Sequence, residues 1–213
     1  MPGDWPSDGK TADFARRLSA VTQGVYAHFQ PDFHELFTSL GIPPDPLALV
    51  RARWTTLHPR SFRLLHTDIH RKNMILAGGR TYFLDWELAL WGDPVYDLAV
   101  HLHKMGYTPA EYEAMQAAWL TALPPGTSEG WERDLHTYLT HERVKSAIVD
   151  TVRYTKVITS GHASAHGEAE LFRKLAGKLG AAQATGGTWP ASRPFTAEEI
   201  AARIRDWADK RPA

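Results

Sequence analysis

The chain of 213 residues carries 24 Lys plus Arg and 24 Asp plus Glu, so no basic surplus points to nucleic acid as its main partner. It has no cysteine, which excludes disulfides and thiolate metal sites. Hydrophobic residues make up 43% of the chain, enough for a sizeable core. No apolar run approaches the ~20 residues that span a membrane, and no basic region precedes an apolar run at the N-terminus. We therefore expect a cytoplasmic protein with no membrane partner.

The first part of the chain predicts a tail followed by three helices. Residues 1–10 contain Pro and Gly with little apolar content, which is typical of a tail or a linker stump. Thr11 is a plausible N-cap, and the apolar stripe after it predicts a buried helical face that ends at Pro31. That stripe consists of Phe14, Leu18, Val21, Val25 and Phe29. A second helix is predicted over 32–40 and a third after Asp45, which is followed by a proline.

The later part of the chain predicts five more helices. Thr108 and Thr196 each have Glu three positions later, the signature of a capping box. The predicted helices cover residues 94–105, 109–123, 129–159, 164–182 and 200–209. The chain from 11 to 213 is therefore predicted to be one domain, mainly α with a small β-hairpin core (α+β).

Three short apolar runs in the middle of the chain predict that hairpin. They cover residues 62–65, 74–77 and 82–84, each of strand length, and Gly78-Gly79 is a tight-turn signal. The hairpin is predicted to be buried. Polar residues lie at the ends of these strands and in the loop between the first two, where catalytic side chains are commonly placed.

Three of those polar residues form a pattern suited to phosphoryl transfer. Asp68 and Asn73 lie five apart in one loop, and Asp85 follows the second hairpin strand. Carboxylate and amide oxygens are the hard ligands that Mg²⁺ prefers. Phosphoryl transfer requires a carboxylate to orient and deprotonate a hydroxyl, together with metal ligands that neutralise the phosphates. Asp, then Asn, then a hairpin and a second Asp is the order found in kinases.

Two motifs resemble the aminoglycoside phosphotransferase and choline kinase family. The segment 66–73, HTDIHRKN, is similar to the family's catalytic loop, which typically reads His-Gly-Asp, a hydrophobic residue, His, two variable residues and Asn. The sequence departs from this pattern at Thr67, where the family usually has Gly. LDWE at 84–87, GDP at 92–94 and DLA at 97–99 resemble the family's metal-binding segment and following helix. The resemblance implies the helical C-terminal lobe of a protein-kinase-like fold, and it extends from Thr11 through essentially the whole chain.

The resemblance implies a role for each matching residue in the reaction. Asp68 would be the catalytic base, and Asn73 and Asp85 would bind Mg²⁺. ATP or GTP would be the phosphate donor, and the acceptor would be a small hydroxylated molecule such as an aminoglycoside antibiotic. The implied protein is a nucleotide-dependent small-molecule kinase.

The resemblance also assigns three supporting residues. His70 lies two positions after Asp68, where protein kinases often place a phosphate-contacting Lys, and packing against the hairpin is the alternative reading. His66 and Asp97 would be structural anchors, with Asp97 accepting hydrogen bonds from the loop backbone around His66. Asp97 lies near the first turn of its predicted helix, where a carboxylate is favoured.

The part of a kinase that covers the phosphates is absent from the sequence. That small lobe carries a Gly-rich loop and a strand Lys, whereas Lys10 is the only Lys before Asp68 and no Gly-x-Gly-x-x-Gly occurs. The chain is thus predicted to fold but to be a poor enzyme alone, with an exposed apolar surface that drives self-association. Either the small lobe comes from a longer reading frame or a partner, or the chain is a non-catalytic kinase-like module for binding.

A metal-dependent hydrolase is a weaker alternative. His66, Asp68 and His70 alternate, and His101 or His103 could complete a ligand set. The alternation does not continue on either side, however. Moreover, two histidines that lie two apart on a helix cannot face one point.

Overall fold

The computed structural model describes residues 5–124, 127–190 and 193–211, so the first four residues of the predicted tail lie outside it. Within these residues the helices are α1 (Thr11–Ser39), α2 (Ala48–Arg53), α3 (Pro94–Met105), α4 (Pro109–Ala122), α5 (Trp131–Thr159), α6 (Ala165–Gln183) and α7 (Ala197–Asp209). The strands are β1 (Arg63–Leu65), β2 (Met74–Ala77), β3 (Arg80–Phe83) and β4 (Leu90–Gly92). The predicted fold class, mainly helical with a small antiparallel β core, is confirmed.

The four strands form two separate antiparallel pairs. β2 and β3 make the predicted hairpin, with Ala77 opposite Arg80. Gly78 and Gly79 both have positive φ, which the tight turn between two right-handed twisted strands requires. β1 pairs with β4, which the sequence did not predict, and Leu65 lies opposite Leu90. This second pairing brings residues 63–65 and 90–92 together next to the start of the loop 66–73.

The hairpin is exposed rather than buried, so that prediction was wrong. Leu76 is 80% exposed, and every other residue of β2 and β3 except Met74 is exposed as well. The exposed large apolar side chains of this region, which we call the hairpin surface, are Leu64, Ile75, Leu76, Tyr82, Phe83, Leu84, Trp86, Leu88 and Trp91. Apolar runs predict strands, but burial depends on what packs over them, and the described residues leave these side chains in contact with solvent.

The first helix runs through Pro31, so the predicted break at that residue was also wrong. Pro31 lies on an exposed face, whereas Phe33 is 3% exposed, packs against Phe37 and stacks on Trp207. Packing of the following turns offsets the hydrogen bond that proline removes. The buried face also differs from the predicted stripe, because Val21 is 60% exposed and the neighbouring Thr22 is buried instead.

The chain divides into two compact units. One contains Met1–Leu18 and Arg53–Glu142, and the other contains Ser19–Ala52 and Arg143–Ala213. The first unit has an aromatic core in which Phe14 packs on Phe62 and Tyr96. The single domain over 11–213 stays a prediction. No helix among the described residues has an apolar stretch long enough to cross a membrane.

A buried ion-pair network fixes the start of α3 within the first unit. Arg60 donates to Asp93 at 3.0 Å and to Asp134 at 2.6 Å, and all three side chains are almost fully buried. Asp93 caps α3 by accepting the Val95 N–H at 3.0 Å, as its Asp-Pro sequence predicts. Burial raises the pKa of Asp93, and the Arg60 guanidinium opposes that rise. The network holds α3 in one orientation, and α3 in turn positions the loop 66–73.

Candidate active site

The catalytic-loop candidate lies between β1 and β2 and is closed by a contact from its last residue to Asp68. The Asn73 Nδ2 donates to the Asp68 carbonyl at 3.0 Å and to the Asp68 carboxylate at 3.1 Å. This places the predicted base and the predicted amide ligand side by side. Because Asn73 uses its nitrogen toward Asp68, its side-chain oxygen remains available for a cation.

Asp97 holds the other end of the loop. Its carboxylate accepts the His66 N–H at 3.2 Å and the Thr67 N–H at 2.7 Å from the first turn of α3. Burial raises the pKa of Asp97, and these two hydrogen bonds oppose the rise. This is the geometry that the anchoring role requires.

Thr67, the residue that departs from the family pattern, has a left-handed backbone. Its φ is +60°, a region that glycine adopts freely and that is costly for a β-branched residue. The Thr67 hydroxyl donates to the Leu88 carbonyl at 2.8 Å, and its N–H is held by Asp97. The surrounding hydrogen bonds therefore maintain a conformation that threonine alone would avoid.

His66 connects the loop to the end of β3. Its Nδ1 accepts the Asp68 N–H at 3.3 Å, and its Nε2 lies 2.8 Å from the Leu84 carbonyl, where an Nε2 N–H is the donor that the carbonyl requires. The ring packs on Trp86 with 4.6 Å between centroids. Both ring nitrogens are thus used within the chain.

This arrangement does not support the hydrolase alternative. His101 likewise has both ring nitrogens engaged, with the Ile69 carbonyl at 3.2 Å and the Tyr107 hydroxyl at 2.9 Å. Among the residues that the structure describes, no group of three or more His, Cys, Asp or Glu side chains is arranged to hold a metal ion. The predicted set of His66, Asp68 and His70 therefore does not form a histidine-based metal centre.

Asp85 lies next to the loop because the Leu84 N–H donates to the Asn73 carbonyl at 2.9 Å. Its φ is +63°, a conformation that Asp tolerates better than most residues. The side chain is exposed, and its carboxylate has no hydrogen-bond or ion-pair partner among the described residues. A free carboxylate is a ligand type that suits Mg²⁺, which needs only one or two protein ligands when phosphates and waters complete its shell. Joint binding of the ion by Asp85 and Asn73 stays a prediction.

His70 faces the predicted base. Its Nδ1 accepts the Lys72 N–H at 3.2 Å, and its Nε2 lies 3.6 Å from the Asp68 carboxylate. The ring is therefore within reach of a group that approaches Asp68. Its phosphate contact stays a prediction.

The sequence reasoning missed Lys104, which forms an ion pair with Asp68. Asp97, His101 and Lys104 follow one another at steps of four and three on α3, so they share one helical face. They contact three different parts of the loop: Asp97 its start, His101 the Ile69 carbonyl and Lys104 the Asp68 carboxylate. The expected anchoring role of Asp97 was the available signal, because it implied that residues one and two turns later also reach the loop.

A cavity of about 300 Å³ lies beside this loop. Ile69, Asp97 and His101 contribute to its walls, and most of the remaining lining is apolar or aromatic, including Phe83, Met115 and Trp119. Cavities of this size and composition are typical of sites for small organic molecules.

Together the loop, the exposed carboxylate after the hairpin and the helix that holds the loop have the organisation expected of a kinase-like phosphotransferase. The comparison with known families agrees: the model of the phosphotransferase enzyme family APH matches residues 10–134, more than half of the chain. The protein belongs to this family. The match contains every site residue described above and ends before most of α5, so the resemblance is established for 10–134 rather than for the whole chain from Thr11 onward. No curated protein and no solved structure matches the chain.

Proposed function

We propose that this protein transfers the γ-phosphate of ATP or GTP to a hydroxyl group of a small molecule, with Asp68 as the catalytic base. The observation that carries the proposal is the contact of Asn73 with both the carbonyl and the carboxylate of Asp68. It joins a base candidate to a metal-type ligand in one loop. Family membership supports phosphoryl transfer as the reaction class.

In this proposal Mg²⁺ is held by the oxygens of Asn73 and Asp85. The bound ion would neutralise charge on the nucleotide phosphates. The protein's own contribution to catalysis is to hold Asp68 in position. Asp97 and His66 fix the loop backbone, so that Asp68 presents its carboxylate where an acceptor hydroxyl can donate its proton.

The acceptor is proposed to be a small hydroxylated compound. An aminoglycoside antibiotic is the first candidate from the family resemblance, and it would make the protein a resistance enzyme. The largely apolar cavity beside Ile69 supports testing acceptors with aromatic or aliphatic parts as well.

Efficient turnover is proposed to require a cover over the nucleotide. The hairpin surface exposes nine large apolar side chains beside the candidate metal site, which supports binding of a small lobe or of a second copy of the chain. Electrostatic interactions with the phosphates weaken when water has access to them. We therefore expect the 213-residue chain alone to transfer phosphate slowly.

The same exposure supports the second candidate function, a kinase-like module that binds a partner through the hairpin surface without catalysis. The two candidate functions predict different outcomes of one label-transfer assay. The purified chain is incubated with Mg²⁺, γ-labelled ATP or GTP and a panel of aminoglycosides and apolar alcohols, and labelled acceptor is measured. Label transfer that Asp68→Asn abolishes supports the phosphotransferase, whereas absence of transfer from both nucleotides to every acceptor favours the binding module.

A further inference from the structure

The two carboxylate oxygens of Asp68 have different partners. One oxygen accepts a hydrogen bond from Asn73 at 3.1 Å and lies 3.6 Å from His70. The other forms an ion pair with the Lys104 ammonium. A base must offer a free oxygen to the acceptor hydroxyl. In Asp68 one oxygen is bonded to Asn73 and the other is already paired with the Lys104 ammonium.

Lys104 is placed to leave this contact without disturbing the loop. It extends from the last turn of α3, whose first turn is held by Asp93 and whose middle is held by His101. Its side chain is 30% exposed, against 18% for Asp68, so the ammonium lies at the edge of the site that solvent and ligand reach. A lysine stem has four carbons and three ammonium donors, so it can exchange partners while the helix stays fixed.

A triphosphate brought to Asp68 would add negative charge beside an existing carboxylate. Coulomb repulsion between two anions at contact distance opposes this approach, and a cation between them removes the opposition. The ammonium of Lys104 is already in contact with the carboxylate, whereas the exposed Arg71 and Lys72 have no ion pair with it.

We propose that Lys104 is a phosphate-binding residue that moves from Asp68 to the transferred phosphoryl group. This inference rests on the proposed phosphotransferase function. When the triphosphate arrives, the ammonium bonds the γ-phosphate and frees the Asp68 oxygen for the acceptor hydroxyl. Asp68 then takes the hydroxyl proton, the acceptor oxygen bonds the γ-phosphorus, and the bond from that phosphorus to the bridging oxygen breaks. The nucleoside diphosphate leaves with the electron pair, and Lys104 takes no part in the proton transfer.

The test compares a nonhydrolysable nucleoside triphosphate with the corresponding diphosphate, because only the triphosphate carries the group that Lys104 would bind. Calorimetry in Mg²⁺ measures both affinities for the parent chain, Lys104→Met and Lys104→Arg. Met keeps much of the apolar stem and removes the charge. Lys174→Ala is the control, because it removes an exposed lysine that pairs with Glu170 in the other unit.

Loss of the charged contact should weaken triphosphate binding by about tenfold or more in Lys104→Met, while diphosphate affinity stays within a few-fold of the parent. Lys104→Arg should keep most of the triphosphate affinity, and Lys174→Ala should match the parent. If Lys104→Met binds the triphosphate as the parent does, or loses both ligands equally, the role of Lys104 is overturned and the phosphotransferase proposal stands. If the parent binds neither nucleotide, both proposals are overturned.

Discussion

Replacing Asp97 tests whether α3 holds the loop 66–73 in its catalytic shape. Asp97→Ala removes the acceptor for the N–H groups of His66 and Thr67, which lie 3.2 and 2.7 Å from the carboxylate. Both donors are in a part of the chain with little access to water. Each would lose its partner without replacement.

The expected loss in free energy of unfolding follows from those two unsatisfied N–H donors. An unsatisfied buried donor costs about 1–3 kcal/mol, and relief from burying the Asp97 charge offsets part of the sum, so we expect a loss of about 2–4 kcal/mol. For a chain of this size that corresponds to a fall in melting temperature of about 5–15 °C. Asp97→Asn keeps one acceptor oxygen and should lose about half as much.

Thermal unfolding followed by circular dichroism measures this difference. The matched control is Glu113→Ala, which removes an exposed carboxylate from α4 and should change stability by less than about 0.5 kcal/mol. If Asp97→Ala melts at the same temperature as Glu113→Ala, the two hydrogen bonds do not anchor the loop and the reasoning is wrong.

Three further predictions concern the same loop. Thr67→Gly should be more stable than Thr67→Ala by about 0.5–1 kcal/mol in urea unfolding, because φ is +60° there; an Ala variant at least as stable would contradict the assigned strain. Burial lowers the pKa of His101, so the native state binds fewer protons than the unfolded state, and stability should be lost as pH falls from about 6.5 toward the lowered pKa. Urea titrations at about pH 7.5 and about pH 5.5 measure the free energy of unfolding, and His101→Gln should lose less of it between the two pH values than the parent does. Equal losses in both proteins would argue against this role of His101. Mg²⁺ should raise the nucleotide affinity of the parent and of Glu87→Ala but not of Asp85→Ala; calorimetry with and without Mg²⁺ decides, and a full response in Asp85→Ala would exclude that residue as a ligand.

Features that depend on neighbours in sequence were predictable. The capping boxes at Thr108 and Thr196 and the Asp93 cap are present, because each needs only a side chain and an N–H within one turn. Asp68 and Asn73 lie in one short loop of the sequence motif, and in the structure the two residues are in contact. The glycine pair predicted the hairpin turn, which likewise depends on adjacent residues.

Features that depend on distant packing were not predictable. Pro31 normally ends a helix, but packing of Phe33 keeps α1 continuous. The apolar strands predicted a buried hairpin, whereas burial requires a covering element that the described residues do not supply. The ion pair of Lys104 with Asp68 joins residues 36 apart in sequence, and only the shared helical face with Asp97 hinted at it.

The central claim, that Asp68 is the base of a phosphoryl-transfer reaction, is tested most directly by comparing the parent chain with Asp68→Asn. The measurement is the rate at which label from a γ-labelled nucleotide enters an acceptor in the presence of Mg²⁺, with nucleotide affinity and melting temperature recorded for both proteins. Because positioned proton transfer contributes about 10²–10⁴-fold, the rate should fall by that factor while the variant stays folded and binds nucleotide. A rate within a few-fold of the parent would contradict the assignment.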